Sequence, residues 1–173
     1  EAEELAIVHM IWGLGQSARL GHTTGDEIAR LLTVSEIASN PELRAQIYRV
    51  APDVSTFPTR TVAKGMQSLS MREQYFALLA FKKHGDRKDL DLIVNLIQEN
   101  SGKDLYIRHA AIEALTKFDA KTLGILNTHN SVEVQLCAVV ALRRNKAPEI
   151  RRFLKAESDF VSTEAALGIY DDF

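Results

Sequence analysis

The stretch DLYIRHAAIEAL, residues 104–115, carries the pattern that decides the fold. Asp104 is a short polar residue of the kind that caps helices, because its side-chain oxygen accepts a hydrogen bond from a free amide of the first turn. Apolar residues follow at helical spacing and share one face. The stretch therefore predicts an amphipathic helix with a buried apolar face.

The same arrangement recurs about every 27 to 36 residues, a spacing typical of helical repeats. The predicted caps are Asn40, Ser68, Asp104, Ser131 and Ser158. Two apolar columns follow each cap, the first at Tyr48, Phe76, Ile112, Val139 and Ala166, the second at Ala51, Leu79, Leu115, Leu142 and Ile169. An N-terminal unit around residues 6–14 fits these columns without a good cap.

Shorter amphipathic segments lie between these helices. They are predicted at Asp26–Ser39, Pro58–Gln67, Lys88–Glu99, Ala120–Leu126 and Pro148–Lys155. No segment alternates polar and apolar residues between hairpin turns, so no sheet is expected. The predicted fold is all-α: one domain over residues 1–173, a right-handed α-α superhelix of about five to six helical hairpins.

The composition excludes several classes of protein. With 46% hydrophobic and 25% charged residues, the chain is neither disordered nor fibrous. The formal charge of −2 predicts no nucleic-acid partner, and no apolar run is long enough for direct membrane insertion. The chain begins at Glu1 without an initiator methionine, so we expect a piece of a larger protein whose compartment cannot be read here.

Residues 104–111 together with Leu115 resemble HEAT repeats, and the resemblance covers nearly the whole chain. It implies an armadillo-type α-solenoid, an architecture that hosts scaffolds, enzymes and adaptors alike. Gln135 and Ser162 stand where the family often has Arg. The family's ladder of polar contacts is therefore expected to be patchy.

Two strings, HMIWGLGQ at 9–16 and TEAALGIYDD at 163–172, resemble helices of large bacterial membrane-bound dehydrogenase-like proteins. Those proteins combine a β-propeller, a HEAT-like middle region and a haem-binding c-type cytochrome domain. The resemblance implies that this chain is the middle region, in a periplasmic or exported protein. Flanking domains of the same polypeptide would then be its partners, and catalytic residues and cofactors would lie elsewhere.

Three features invite a chemical interpretation. Residues 13–18, GLGQSA, match a loose dinucleotide-binding fingerprint, but without a βαβ unit we favour small residues that let two helices approach closely. Cys137 allows no disulfide within the chain and no CxxCH haem site, and we expect it to be a buried apolar residue rather than a reactive thiolate. The histidines are expected to be structural, with His9 and His109 near the packed face; a metal site composed across repeats stays open.

The candidate site residues form a possible interaction surface: Trp12, Arg44, Arg72, Arg108, Arg151, Arg152, Phe160 and Ile169. The first three arginines share one repeat column, which favours contacts between repeats over a binding surface. Arg151 and Arg152 belong to a basic cluster that meets either solvent or an acidic partner; the other members are Arg143, Arg144, Lys146 and Lys155.

Two apolar features complete this set. We expect Trp12 in the core, with an interface role as the alternative. The last helix carries apolar residues that we predict face another domain: Phe160, Ala165, Ile169 and Phe173.

These observations favour a non-catalytic interaction or scaffold module with no cofactor in this chain. The alternative is a HEAT-like enzyme or ligand-binding domain, similar to DNA glycosylases or bilin lyases. A glycosylase needs a basic, aromatic face, and the charge of −2 with a single tryptophan argues against one.

Overall fold

A computed structural model describes residues 2–172, and in that range the backbone forms helices and connecting turns without a strand. The all-α prediction is therefore confirmed. Contacts divide the chain into two compact units, Glu1–Asp89 and Leu90–Phe173. The single domain over 1–173 stays a prediction.

Between residues 2 and 89, the first unit forms six α-helices. They are α1 Ala2–Arg19, α2 Gly25–Arg30, α3 Ser35–Ser39, α4 Pro41–Val50, α5 Thr59–Met66 and α6 Met71–His84. Helix α4 packs between α1 and α6, and α5 covers α6. The largest buried side chains include Ile11 of α1, Ile47 of α4 and Phe81 of α6, each 0% exposed.

The second unit contains five α-helices. They are α7 Leu90–Asn100, α8 Leu105–Leu115, α9 Ala120–Ile125, α10 Val132–Arg144 and α11 Asp159–Asp172. Helix α8 packs against α7 and α10, and α10 packs against α11. The segment Pro148–Lys155 is a 3₁₀ helix that packs on α9 and α11. It buries Ile150 and Phe153, and the buried Ala147 directly before it continues this spacing of three residues.

The predicted second segments are helical but interrupted. Asp26–Ser39 divides into α2, a 3₁₀ turn at Leu31–Thr33, and α3. The segment from Lys88 begins in a 3₁₀ turn before α7, and the segment ending at Leu126 runs into another at Leu126–Thr128. Pro148–Lys155 was expected as an α-helical partner and is wholly 3₁₀.

Three predicted caps are confirmed. The Asn40 and Asp104 side chains each accept hydrogen bonds from two backbone amides, and the Ser131 hydroxyl accepts one from Val134. Ser158 lies immediately before α11. The predicted cap Ser68 is wrong: α6 is capped by Ser70, whose hydroxyl accepts from the Glu73 amide at 3.4 Å.

This shift of two residues changes the buried columns of α6. Counted from Ser70, the two column positions are Leu78 and Phe81, which are both 0% exposed. Phe76 and Leu79, which the sequence placed in the columns, are only half-buried. The sequence signal for the true cap is Ser70-x-x-Glu73, the spacing of a capping box.

Helix α11 departs from the columns in a different way. Val161 and Ala165 are 0% exposed, whereas Ala166 is exposed and Ile169 is half-buried. In α4, α6, α8 and α10 the matching positions are all buried. The prediction that apolar residues of α11 face another domain is therefore wrong for Ala165, which is buried. Ile169 is only partly covered, and Phe173 lies outside the described residues.

A recurring hydrogen bond closes the turn that precedes three of the capped helices. The fourth residue after the cap donates a side-chain N–H to the carbonyl two residues before the cap. The pairs are Arg44 to Ala38 at 2.6 Å, Gln74 to Ser68 at 2.7 Å and Gln135 to His129 at 2.6 Å. Glutamine thus makes the same backbone contact as arginine, and the column that the sequence assigned to Arg72 belongs to Gln74.

The GLGQSA string lies inside α1, and no strand precedes it in the described part of the chain. The two glycines differ in their surroundings. A Cβ on Gly15 would lie 2.9 Å from Val50 Cγ1 on the neighbouring α4, whereas a Cβ on Gly13 would meet nothing within 4 Å. Close approach of two helices therefore requires only Gly15.

We expect opposite effects from alanine at these two positions. Gly15→Ala should lower the free energy of unfolding by about 1–3 kcal/mol, because Val50 is stiff and cannot move away cheaply. Gly13→Ala should raise it by about 0.5–1 kcal/mol through helix propensity alone. Urea unfolding of both variants tests this, and equal effects at the two positions would contradict the packing.

Candidate interaction surface

A row of exposed or half-buried aromatic and cationic side chains crosses α1, α4 and α6. We call this row the Arg49 strip; it consists of Trp12, Arg49, Phe76 and Arg72. The Arg49 guanidinium carbon lies 4.6 Å from the centroid of Trp12 and 5.9 Å from that of Phe76. Arg72 lies over the other part of the row, also 5.9 Å from Phe76. Each of these contacts is within cation–π range.

A hydrogen-bonded chain lies beneath the strip. The Gln46 side chain is 2% exposed, and its Oε1 accepts from Trp12 Nε1 at 2.9 Å and from Arg49 Nη1 at 3.4 Å. Its Nε2 donates to Glu42 Oε1 at 2.6 Å. Because an indole N–H only donates and a carboxylate only accepts, this orientation of the Gln46 amide is the one that satisfies both neighbours.

Arg72 and Arg49 differ in their charge partners. Arg72 forms an ion pair with Glu42, with Nε 3.1 Å from Oε2. Within residues 2–172, no carboxylate forms an ion pair with Arg49, which is exposed. The strip therefore holds two guanidinium groups, of which Glu42 neutralises one, and it is locally positive in a chain whose formal charge is −2.

The structure places Trp12 differently from the core position expected for it. Its side chain is 38% exposed, and its indole is held by Gln46 and flanked by His9 at a centroid distance of 5.7 Å. The expectation for His9 and His109 is also wrong, since both are exposed. Sequence reasoning missed Arg49 and Phe76 as site residues. A sequence signal existed only for Phe76: the cap at Ser70 moves it off the buried column.

A cleft of about 660 Å³ in the same unit is the second candidate. Its walls come from α3, α4, α5 and the turn before α6. The lining residues are Leu32, Ala38, Pro41, Arg44, Tyr48, Lys64, Ser68, Leu69, Ser70 and Glu73. Its floor carries the predicted site residue Arg44, and its rim carries the exposed Lys64.

The charges on this floor are already matched. Arg44 Nε donates to both oxygens of Glu73 at 3.2 and 3.1 Å, and Nη2 lies 3.0 Å from Oε2. Ser68 Oγ donates to the same carboxylate at 2.6 Å. The pair joins α4 to α6, and burial raises the pKa of the adjacent Tyr48 hydroxyl. The arrangement stabilises the packing of α4 on α6.

The candidate arginines of the second unit mostly contact their own unit. Arg108 Nε lies 3.8 Å from Glu133, linking α8 to α10. In the basic cluster, Arg143 pairs with Glu164 and Asp171, and Arg144 pairs with Glu113. Arg151 donates to the carbonyl of Pro148 at 2.8 Å, and Arg152 is exposed on the same 3₁₀ helix. Phe160 is 77% exposed on α11.

Cys137 and two histidines are buried or bound as structural residues. Cys137 is 0% exposed, and burial raises the pKa of its thiol to about 12, with a smaller opposing effect of Arg108. His84 Nε2 lies 2.9 Å from the carbonyl of Ala51, and His129 Nδ1 accepts from the Ser131 amide. No group of three or more His, Cys, Asp or Glu side chains in residues 2–172 is arranged to hold a metal ion.

A comparison of the chain with protein-family models, curated proteins and solved structures finds no match. None of the helices between residues 2 and 172 has the length and apolar character required to cross a membrane.

Removing the buried Glu73 carboxylate should lower the free energy of unfolding far more than removing an exposed ion pair. We expect Glu73→Ala to lower the free energy of unfolding by about 3 kcal/mol, because it leaves the Arg44 guanidinium without its partner. The control is Arg19→Ala, which removes an ion pair to Asp53 that is half-exposed at its arginine and should lower the stability much less. Chemical denaturation measures both, and similar losses would contradict a structural role for the Glu73 pair.

The raised pKa of Cys137 predicts a specific loss of stability in alkali. The unfolded thiol ionises near the ordinary value of 9.0, before the folded one at about 12, so its contribution is present below pH 9 and lost as the pH rises towards 12. The wild type should therefore lose up to about 1.4 kcal/mol per pH unit relative to Cys137→Ala in that window. Ionisation of Tyr48 affects both proteins equally and does not change the difference between them. If the difference in unfolding free energy stays constant across this pH range, burial of the thiol is contradicted.

Proposed function

We propose that this chain is a non-catalytic protein-interaction module, and that the Arg49 strip is its binding surface. The observation that carries the proposal is the exposed Arg49 guanidinium between two aromatic rings, 4.6 Å from Trp12 and 5.9 Å from Phe76. Tryptophan and arginine are enriched among the residues that dominate binding energy at protein interfaces. Exposed side chains of this kind, held in place by their own protein, lose little freedom on binding.

The broader proposal is a scaffold of HEAT-like hairpins arranged as a right-handed superhelix. The recurring caps, the shared buried columns and the repeated turn-closing hydrogen bond support a repeat architecture. The partly open column of α11 supports a protein partner at that end, such as a flanking domain of an exported dehydrogenase-like or haem-binding polypeptide. In that setting the chain holds its neighbours in place.

A ligand-binding domain is the second candidate, because the cleft of about 660 Å³ falls within the size range of small-molecule sites. Its lining combines apolar residues such as Leu32, Pro41 and Leu69 with the charged Arg44 and Glu73. The interaction module is favoured because the Arg44 and Glu73 charges on that floor bind each other. The earlier alternatives, a glycosylase-like or bilin lyase-like enzyme, have no residue-level support in the cleft.

Selection from a random peptide display library tests the interaction module. We expect the wild-type chain to enrich peptides, and the double variant Trp12→Ala with Arg49→Ala to lose at least about tenfold in affinity for them. The matched control, Tyr106→Ala with Arg152→Ala, removes an exposed aromatic residue and an exposed arginine from the second unit.

Thermal unfolding of all three proteins confirms that each is folded. Failure to enrich any peptide, or equal binding by the strip variant and the wild type, would overturn the proposed function. Binding that is lost in the control but kept in the strip variant would move the surface to the second unit.

A further inference from the structure

We propose that the Arg49 strip binds an acidic segment of a partner protein, with a partner carboxylate on the Arg49 guanidinium and an apolar partner side chain against Trp12. This inference rests on the proposed function and specifies the chemistry of the partner. It follows from the unused hydrogen-bonding capacity of Arg49, from its rigid setting and from the charge balance of the strip.

The Arg49 guanidinium has unused hydrogen-bond donors. A guanidinium carries five N–H donors, and the one hydrogen bond that Arg49 makes with another side chain in the described chain is the 3.4 Å contact from Nη1 to Gln46. Arg44, by contrast, uses all three nitrogens, on Glu73 and on the Ala38 carbonyl. The free donors of Arg49 match the two oxygens of a carboxylate, which arginine binds in a bidentate manner.

The setting of Arg49 is organised before any partner arrives. The ring of Trp12 is fixed by its own hydrogen bond to the buried Gln46. The ring of Phe76 packs edge-on against Tyr75, with 5.0 Å between the ring centroids. A long arginine side chain normally loses much rotamer freedom on binding. Contact with two fixed rings reduces that loss, so more of the ion-pair energy remains available for affinity.

The charge balance selects an anionic partner. Glu42 already has Arg72 and Gln46 as partners, and it competes little for Arg49. A partner carboxylate therefore meets one unpaired cation with a second cation nearby. The exposed part of the Trp12 ring lies beside this cation, so an apolar residue next to the acidic one gains contact as well.

The same observations disfavour a nucleic acid. Binding to a phosphate backbone draws its energy from several cations that each neutralise a phosphate. The strip offers Arg49 and Arg72 alone, and Arg72 is already paired with a carboxylate. Two arginines suit a short acidic protein segment better than a polyanion.

Trp12 supplies the readout, because it is the chain's single tryptophan and its indole N–H gives one resonance. We would titrate the ¹⁵N-labelled chain with a capped peptide that alternates Glu and Leu, with a matched peptide that alternates Gln and Leu, and with oligo-dT. We expect the Glu-Leu peptide to shift the Trp12 indole resonance and to bind about tenfold tighter than the Gln-Leu peptide. Added salt should weaken this preference.

Variants then assign the preference to Arg49. Arg49→Gln should abolish the difference between the two peptides, and Arg49→Lys should retain only part of it, because an ammonium lacks the planar fork. The control Arg60→Gln removes one exposed cation of α5, outside the strip, and should leave the difference unchanged.

The outcomes separate the inference from the function. Equal binding of both peptides at Trp12, or no binding of either up to the solubility limit, overturns the acidic partner while library-selected peptides can still support the interaction module. Tighter binding of oligo-dT than of the Glu-Leu peptide overturns the acidic partner in favour of nucleic acid. Loss of library binding as well overturns both proposals.

Discussion

The hydrogen bond between a capping side chain and the first backbone amides fixes where α4, α6, α8 and α10 begin, and the start of a helix decides which side chains it buries. Successive residues of an α-helix are rotated by about 100°, so a start displaced by two residues turns a buried position towards solvent. In α6 the cap at Ser70 buries Leu78 and Phe81 and leaves Phe76 half-buried. The position of Phe76 in the strip therefore depends on the cap at Ser70, six residues earlier in the chain.

Much of the fold was predictable because the capping residues and the spacing of the buried apolar residues indicate the same helices. Asn40, Asp104 and Ser131 combine the right side chain with the right apolar spacing, and each caps a helix. Near Ser68 the local rules conflict, because two serines stand two residues apart and repeat spacing favours the wrong one. The interrupted segment 26–39 and the 3₁₀ helix at 148–155 were also unpredictable, since their short apolar patterns suit more than one helical geometry.

The candidate surface was only half predictable for a different reason. Trp12 and Arg72 are conspicuous in the sequence, whereas Arg49 is one of many exposed charges on one of many helices. Its role arises from the packing of α4 between α1 and α6, which brings together residues 12, 49 and 76. Periodicity within one helix contains no information about such neighbours. The ion pair of Arg44 with Glu73 was also not predictable. Counted from the wrong cap at Ser68, Glu73 falls in none of the repeat columns.

The 3₁₀ helix at 148–155 gives the second unit a part whose length depends on its hydrogen-bond pattern. Its eight residues span about 16 Å at a 3₁₀ rise, whereas an α-helix of the same residues spans about 12 Å. Its buried side chains Ile150 and Phe153 follow the buried Ala147 at a spacing of three, which suits only the longer form, so shortening would pull Ile150 or Phe153 out of the core. The buried apolar side chains along one face therefore hold the segment at a fixed length.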